Sequence, residues 1–391
     1  MGALSRFRIL DLTRARAGPT STKQFADFGA DVIKVEQPAD GGERNQLSGD
    51  RHSFDMQNLH RNSRSITLDL KNPQAREIFY RLVKTADVVV ENYRPDVKFR
   101  LGIDYETLKA INPRIILTSI SGFGQDGPYV KRPMFDQISQ GMSGIMSVTG
   151  KPGGGPIRAG VAITDITAGY IAACGILTAL LEREVSGKGQ WVQSSLIQAG
   201  VAMMDFQAAK YLQKGEIPVQ VGNDHPTSMP TSCYECLDGY INVAATGQVM
   251  WLALCDAIGK PEIKEDPRFI TEPLRVKNRD DLNKILIDIF RVKEKSYWVE
   301  LLNQVGVPTG PIYDLSEVFK DPQVISQNMV AEVNHPKLGN LKLVNQALKL
   351  TRTPAEVKSA TPELGEHTKD ILKELSYSEE EISEFVVNKV V

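Results

Sequence analysis

The sequence predicts an α/β protein built on a parallel sheet, with a second, smaller α+β domain. Short aliphatic runs alternate with helical patterns along the first third of the chain, the spacing of β-α-β units. Near Cys233 the texture changes to amphipathic helices of mixed charge around a few strands. A length of 391 residues suits two domains, at roughly 100–200 residues each.

FRILDLT (7–13) is rich in large aliphatics and reads as a buried strand, broken by Gly18 and Pro19. TSTKQFADFG (20–29) reads as a short helix and ADVIKVE (30–36) as the next strand. SITLDL (65–70), DVVVENY (87–93) and RIILTSI (114–120) repeat the strand signal. Helical patterns at NPQAREIFYRLVKTA (72–86) and DYETLKAI (104–111) separate them. Ligands of such sheets gather at the carboxyl ends of the strands, here TRARAGP, EQPADGGE, ENYRPD and SGFGQDGP. Arg14, Arg16, Lys34, Lys71, Arg94 and Arg100 stand at or near those ends. Together they suit a polyanionic ligand held by charge-assisted hydrogen bonds. GYINVAAT (239–246) reads as a strand, and VMWLALCDAIG (249–259), RDDLNKILIDIFRVK (279–293) and SYWVELLNQVG (296–306) as helices. The expected organisation is a large domain over 1–225, a small one over 226–325, and a segment 326–391 that returns to the large domain.

Composition narrows the function. The net charge is −2, from 46 basic and 48 acidic residues, so neither nucleic acid nor an anionic membrane is an expected partner. MGALSRFRILDLT lacks a secretory pattern, and a cytoplasmic chain with reduced thiols is expected. Cys233 and Cys236 form one C-x-x-C with no second pair at zinc spacing, so no metal site is expected. The five histidines accompany no G-x-S-x-G elbow. GFGQDG (122–127) follows a strand but runs into Pro128 and Tyr129 instead of a helix, which reads as a turn-rich loop and not a dinucleotide site. GKPGGGP (150–156) has no G-K-[ST] and reads as a flexible turn.

One acid stands apart. Asp165 precedes a charge-free run of sixteen residues, 166–181, which reads as a helix buried inside a soluble protein. Two readings of Asp165 are open: an N-cap, or a nucleophile held ionised by the helix N-terminus with an ordinary pKa near ~3.9.

The segments RILDLTRARAGP, GADVIKVEQP, HRNSRSITLDLKNP, ADVVVENYRP, GFGQDGPY, GVAITDITAGY and SGKGQWV follow one another in order. With GVPTGPIYDLSEVFKDPQV and LGEHTKDILKEL they cover nearly the whole chain. Together they resemble the class III CoA-transferases, the formyl-CoA and crotonobetainyl-CoA transferase family, related to the α-methylacyl-CoA racemases. The resemblance implies a Rossmann-like large domain, a small domain and two chains interlocked like links, a homodimer. It implies coenzyme A or acyl-CoA as a substrate, with no tightly bound cofactor, and a small carboxylic acid as the other substrate. It places the nucleophile on Asp165. It places CoA contacts on Arg16, Ala17, Gln37, Leu70, Lys71, Asn92, Tyr93, Arg94, Arg100, Phe135 and Asp136.

Departures from the family pattern refine this. Gln37 stands where some members carry an arginine, and Arg16 where formyl-CoA transferases carry a glutamine. The glycine-rich loop of those enzymes is not seen before CYECLDGY, which speaks against an oxalate- or formate-specific enzyme; because an anhydride must be kept from water, a closing loop is expected from the second domain, around GNDHPTSMPTS. Racemases carry a histidine at the position of Phe135, and phenylalanine cannot move a proton. Transfer is therefore the leading expectation, with a dicarboxylic acid as a candidate acceptor because of Arg16. A racemase and a non-catalytic CoA-binding protein are the alternatives. A carboxylate nucleophile suits transfer because a mixed anhydride keeps the acyl group activated, whereas a serine ester would not.

Overall fold

In the computed structural model, which describes residues 2–38 and 50–391, the aliphatic runs pair side by side. Six strands, β1 (Arg8–Asp11), β2 (Asp31–Glu36), β3 (Arg64–Thr67), β4 (Val88–Glu91), β5 (Ile116–Ser121) and β6 (Trp191–Ser195), form one sheet in the order β3-β2-β1-β4-β5-β6. Every neighbouring pair is parallel. This is the doubly wound order, whose direction of travel reverses between β1 and β4. Side chains alternate across the sheet. Val88 and Val90 face one layer and Val89 the other, and Ile9 and Leu10 divide the same way.

Helices occupy the segments between and after these strands. In chain order they are α1 (Ala17–Asp27), α2 (Phe54–Leu59), α3 (Pro73–Thr85), α4 (Val97–Leu101), α5 (Tyr105–Ile111), α6 (Asp136–Met142), α7 (Ile145–Val148), α8 (Ile163–Ser186), α9 (Leu196–Met203) and α10 (Asp205–Lys214). α1 and α8 pack on the layer of Ile9, Val88 and Val90. α3 packs on the layer of Leu10 and Val89, where Ile371, Leu372, Tyr377, Ile382 and Val390 join the same core.

Two sequence expectations need correction, and one strand escaped the sequence reading. Gly18 and Pro19 do not end the first strand in a loop but lie inside the first turn of α1. The N–H groups there have no intrahelical acceptor, so proline removes no hydrogen bond. The helix of the charge-free run is buried on one face only. Tyr170, Ile171, Leu177, Leu181 and Val185 stand exposed on the other, and its 24 residues are long and apolar enough to cross a membrane by length and composition. Strand β6 carries no aliphatic run. After Trp191 and Val192 it turns polar, and Ser195 ends it by accepting from the Gln198 N–H at the start of α9.

The chain divides into two compact units. The larger comprises Met1–Ile145, Arg158–Leu212 and Gln323–Val391, and the smaller Met146–Ile157 and Gln213–Pro322. Sequence texture placed the divisions at 225 and 325, and assigned the glycine-rich turn near 150 to the large domain. The smaller unit packs Tyr234, Trp251, Phe290 and Trp298 beneath an antiparallel sheet of β7 (Thr231–Cys236), β8 (Gly239–Ala244) and β9 (Thr309–Pro311). Its buried Arg275 donates to the carbonyls of Met229 and Phe269 and lies 4.9 Å over the Trp251 ring. Arg279 donates to the Pro226 carbonyl and Asn283 to both Asp224 oxygens. The expected closing loop is thus fastened to its own unit at three points.

Candidate active site

A helix that crosses between parallel strands runs antiparallel to them, so the N-termini of α1 and α8 both arrive at the carboxyl edge of the sheet. They meet closely there. A Cβ on Gly169 would stand 2.5 Å from the Ala17 carbonyl oxygen and 2.8 Å from Thr20 Cβ, so only glycine lets α8 touch the start of α1. Asp165 lies four residues earlier on the same face, one turn nearer the sheet edge, within the electrostatic reach of Arg16 at the start of α1.

Asp165 is the third residue of α8 and does not cap it. The N-cap is Ala162, with no side-chain hydrogen bond to the turn. Asp136, from the start of α6, does that work instead. Its Oδ1 accepts from the Thr164 N–H at 2.9 Å, from Thr164 Oγ1 at 2.8 Å and from the Asp165 N–H at 3.4 Å. Its Oδ2 accepts from Gln140 Nε2 at 2.6 Å. Burial, then repulsion from Asp136, raises the Asp165 pKa to about 6 against the opposing pull of Arg16. The expectation of an ordinary value is therefore overturned: loss of hydration and a neighbouring carboxylate outweigh the helix dipole.

Arg16 is the N-cap of α1, and its Nη2 reaches Asp55 on α2 at 2.9 and 2.8 Å. Two residues before it, Arg14 faces the other way. The reversal falls at Ala15, which sits at φ +59° in the left-handed region. The Asn92 amide braces the loop, accepting from the Arg14 N–H at 2.9 Å and donating to the Arg14 carbonyl at 2.7 Å.

On the Arg14 side lies a cavity of about 630 Å³. It follows the carboxyl ends of β1 to β4, and Arg14, Lys34, Lys71, Arg76 and Arg100 bring five cations to its wall. Tyr93 lines it too, with the Arg14 guanidinium 5.9 Å from its ring, and burial pushes its phenol up to about 12.

Of the residues expected to touch CoA, this cavity gathers Gln37, Leu70, Lys71, Tyr93 and Arg100. Arg16 and Ala17 belong to the α1–α8 contact, and Asn92 holds the loop between them and the cavity. Arg94 is exposed and Phe135 is 63% exposed, and neither lines the cavity. Asp136 holds the turn that carries Asp165. Part of the EQPADGGE edge, 39–43, lies outside the described residues. Sequence reading missed Arg76, which sits inside α3 and away from any strand end, and Asp55, whose pairing with Arg16 joins distant segments.

Among the described residues, His52, His335 and Glu363 bring ligand atoms within 4.8 Å of one another. His335 Nδ1 accepts from the Lys337 and Leu338 N–H groups at 3.0 and 3.2 Å. That places the ring proton on Nε2, the atom a metal would need. His52 Nε2 already bonds Glu363 at 2.9 Å. With one ring nitrogen protonated and the other committed to Glu363, the cluster is a poor metal site.

Comparison with known proteins agrees with this geometry. The model of CoA-transferase family III matches residues 4–368. The succinyl-CoA:glutarate CoA-transferase of Mus musculus is 36% identical over 395 residues, spanning 100% of this chain and 91% of its own. The succinate–glutarate CoA-transferase of Agrobacterium fabrum is 36% identical over 382 residues, 95% of each chain. A CaiB/BaiF family protein from Brucella suis superposes with a TM-score of 0.84 at 34% identity, covering 96% of this chain and 99% of that one.

Proposed function

The chain belongs to CoA-transferase family III, and from that premise we propose that it exchanges coenzyme A between an acyl-CoA and a dicarboxylic acid through covalent intermediates on Asp165. The observation that carries this reading is the setting of Asp165: half-buried in the first turn of α8, close to Asp136 and Arg16, with a pKa of about 6. It is still about nine-tenths ionised at pH 7. Its raised basicity makes it a better nucleophile than an ordinary aspartate.

The steps balance without a proton. The Asp165 carboxylate attacks the thioester carbonyl, the C–S bond breaks, and CoA thiolate leaves a mixed anhydride. The thiolate attacks the aspartyl carbonyl, releases the first acid and forms an aspartyl-CoA thioester. The acceptor carboxylate then attacks that thioester, making a second anhydride, and the freed thiolate takes its acyl group. This reading assigns the N–H groups of Ala17 and Gly18, free of intrahelical acceptors, as donors to the tetrahedral oxyanions. No step calls for a base at Phe135. The relatives' succinyl-CoA and glutarate supply the substrate class, and the cationic cavity suits the phosphates of CoA.

The test is the pH profile. The nucleophile is the deprotonated form, so activity is lost as pH falls through the folded pKa. In the free enzyme, kcat/KM for acyl-CoA should fall about tenfold per pH unit below about pH 6. A flat profile down to pH 4.5 would contradict the raised basicity of Asp165, and a flat profile together with a fully active Asp165→Asn would remove the residue as the nucleophile. A second expectation concerns the cavity. Lys71→Ala should raise the KM for acyl-CoA roughly five- to tenfold by loss of one charge-assisted hydrogen bond. Arg100→Ala should do less, because that exposed guanidinium shares its charge with Asp96 at 3.2 Å. Steady-state kinetics with both variants checks the order.

A further inference from the structure

Resting on that reading, we infer that Lys23 and Arg16 form the subsite for the far carboxylate of the acceptor, one face of α1 supplying both charges. Lys23 follows Arg16 by seven residues, two turns on, and so shares its face of the helix. Side chains of a helix lean toward its N-terminus, which carries the Lys23 ammonium toward Arg16 and the Asp165 end.

Lys23 is only partly exposed, and among the described residues it makes no hydrogen bond or ion pair. The nearby carboxylate of Asp27 is committed. It accepts from Arg61 Nε at 3.0 Å, Arg61 Nη2 at 2.7 Å and Asn62 Nδ2 at 2.9 Å. Arg16 commits one nitrogen, Nη2, to Asp55, and its other donors stay available. Arg16 and Arg61 are thus paired with Asp55 and Asp27, which leaves Lys23 as the cation of the three without a carboxylate of its own; burial, and then the charges of Arg61 and Arg16, lower its pKa to about 8 against the pull of Asp27. A half-buried cation without an anion is costly, and a dianionic acceptor would supply the missing charge. One carboxylate would lie at Asp165, where the chemistry occurs, and the other between Arg16 and Lys23.

The experiment compares glutarate with pentanoate, acids of equal chain length that differ by one carboxylate. Wild-type enzyme and Lys23→Met are assayed with acetyl-CoA as donor, and glutarate is also titrated calorimetrically into each protein. In Lys23→Met the ratio of kcat/KM for glutarate to that for pentanoate should fall at least tenfold, with the calorimetric affinity for glutarate falling in parallel. Lys23→Arg should restore most of both. Unfolding is not a confounder, because methionine relieves the burial of a charge, and thermal melting checks it. A ratio unchanged in Lys23→Met, or a wild type that binds glutarate no better than pentanoate, overturns the subsite. Failure of the nucleophile reading would appear separately, in the pH profile, since the calorimetric titration does not pass through Asp165 chemistry.

Discussion

Asp165→Asn should remain folded and lose CoA transfer by roughly 10³- to 10⁶-fold, the scale on which removal of a covalent nucleophile acts. Asparagine keeps the size of the side chain, and the helix start does not depend on it, because Asp136 satisfies the Thr164 N–H. The folded pKa of Asp165 lies above its unfolded value. Its contribution to stability is therefore present at low pH and lost as pH rises through about 6, so at pH 8 the ionised group opposes folding. The variant should melt at or above the wild-type temperature there. Wild type incubated with acyl-CoA alone should yield a hydroxamate at Asp165 on treatment with hydroxylamine, located by peptide mapping, and the variant none. A variant with full activity, or an adduct on another residue, would falsify the assignment.

Asp27→Ala should be the most damaging single change for stability. Arg61 is almost wholly buried and makes a two-point contact with Asp27, while its Nη1 donates to the Val344 carbonyl. Gln346 Nε2 reaches the same carboxylate at 3.4 Å, and the Asp27 carbonyl accepts from the Glu356 N–H at 2.9 Å. One aspartate at the end of α1 thus ties down the returning C-terminal segment. Removing it leaves a buried guanidinium unpaired, which costs about 3–5 kcal/mol, or a fall of roughly 4–9 °C in melting temperature for a chain of this size. Replacing both partners, as Asp27→Leu with Arg61→Met, should recover much of the loss, because the unpaired charge is gone. Differential scanning calorimetry of the three variants decides it. A single variant that melts within a degree or two of wild type would show the pair to be dispensable.

How far the sequence revealed this molecule depended on whether a feature was local. Strands β1 to β5 announce themselves because each is a short aliphatic run between turn residues. Strand β6 does not, since half of it is serine and glutamine occupied with the neighbouring helices. The cations at the cavity were legible where they follow strands, as with Arg14, Lys71 and Arg100. Arg76 was not, because a cation inside a helix usually faces solvent. Asp165 was conspicuous, but whether it capped α8 was beyond local pattern. The residue that fills that role, Asp136, comes from another helix. Its proximity, with burial, also decides the acidity of Asp165. Long-range placement likewise hid Asp55 and the Asp27–Arg61 pair, each a contact between segments whose own patterns say nothing of the other.

The core behind the sheet is closed by residues at the far end of the chain, Ile371, Leu372, Tyr377, Ile382 and Val390. This has a consequence for biogenesis. As the ribosome delivers the chain, β1 to β6 emerge first, yet the part of their apolar core not covered by α3 stays open until the last helices follow. At about 5–20 residues per second that interval lasts from seconds to tens of seconds. The intervening unit draws on a nearly contiguous stretch, Gln213–Pro322, with only Met146–Ile157 from elsewhere, so it is positioned to fold while the earlier sheet still waits. Nascent chains arrested before residue 371 should therefore be the species that chaperones hold and proteases cut. The sheet made first is the one completed last.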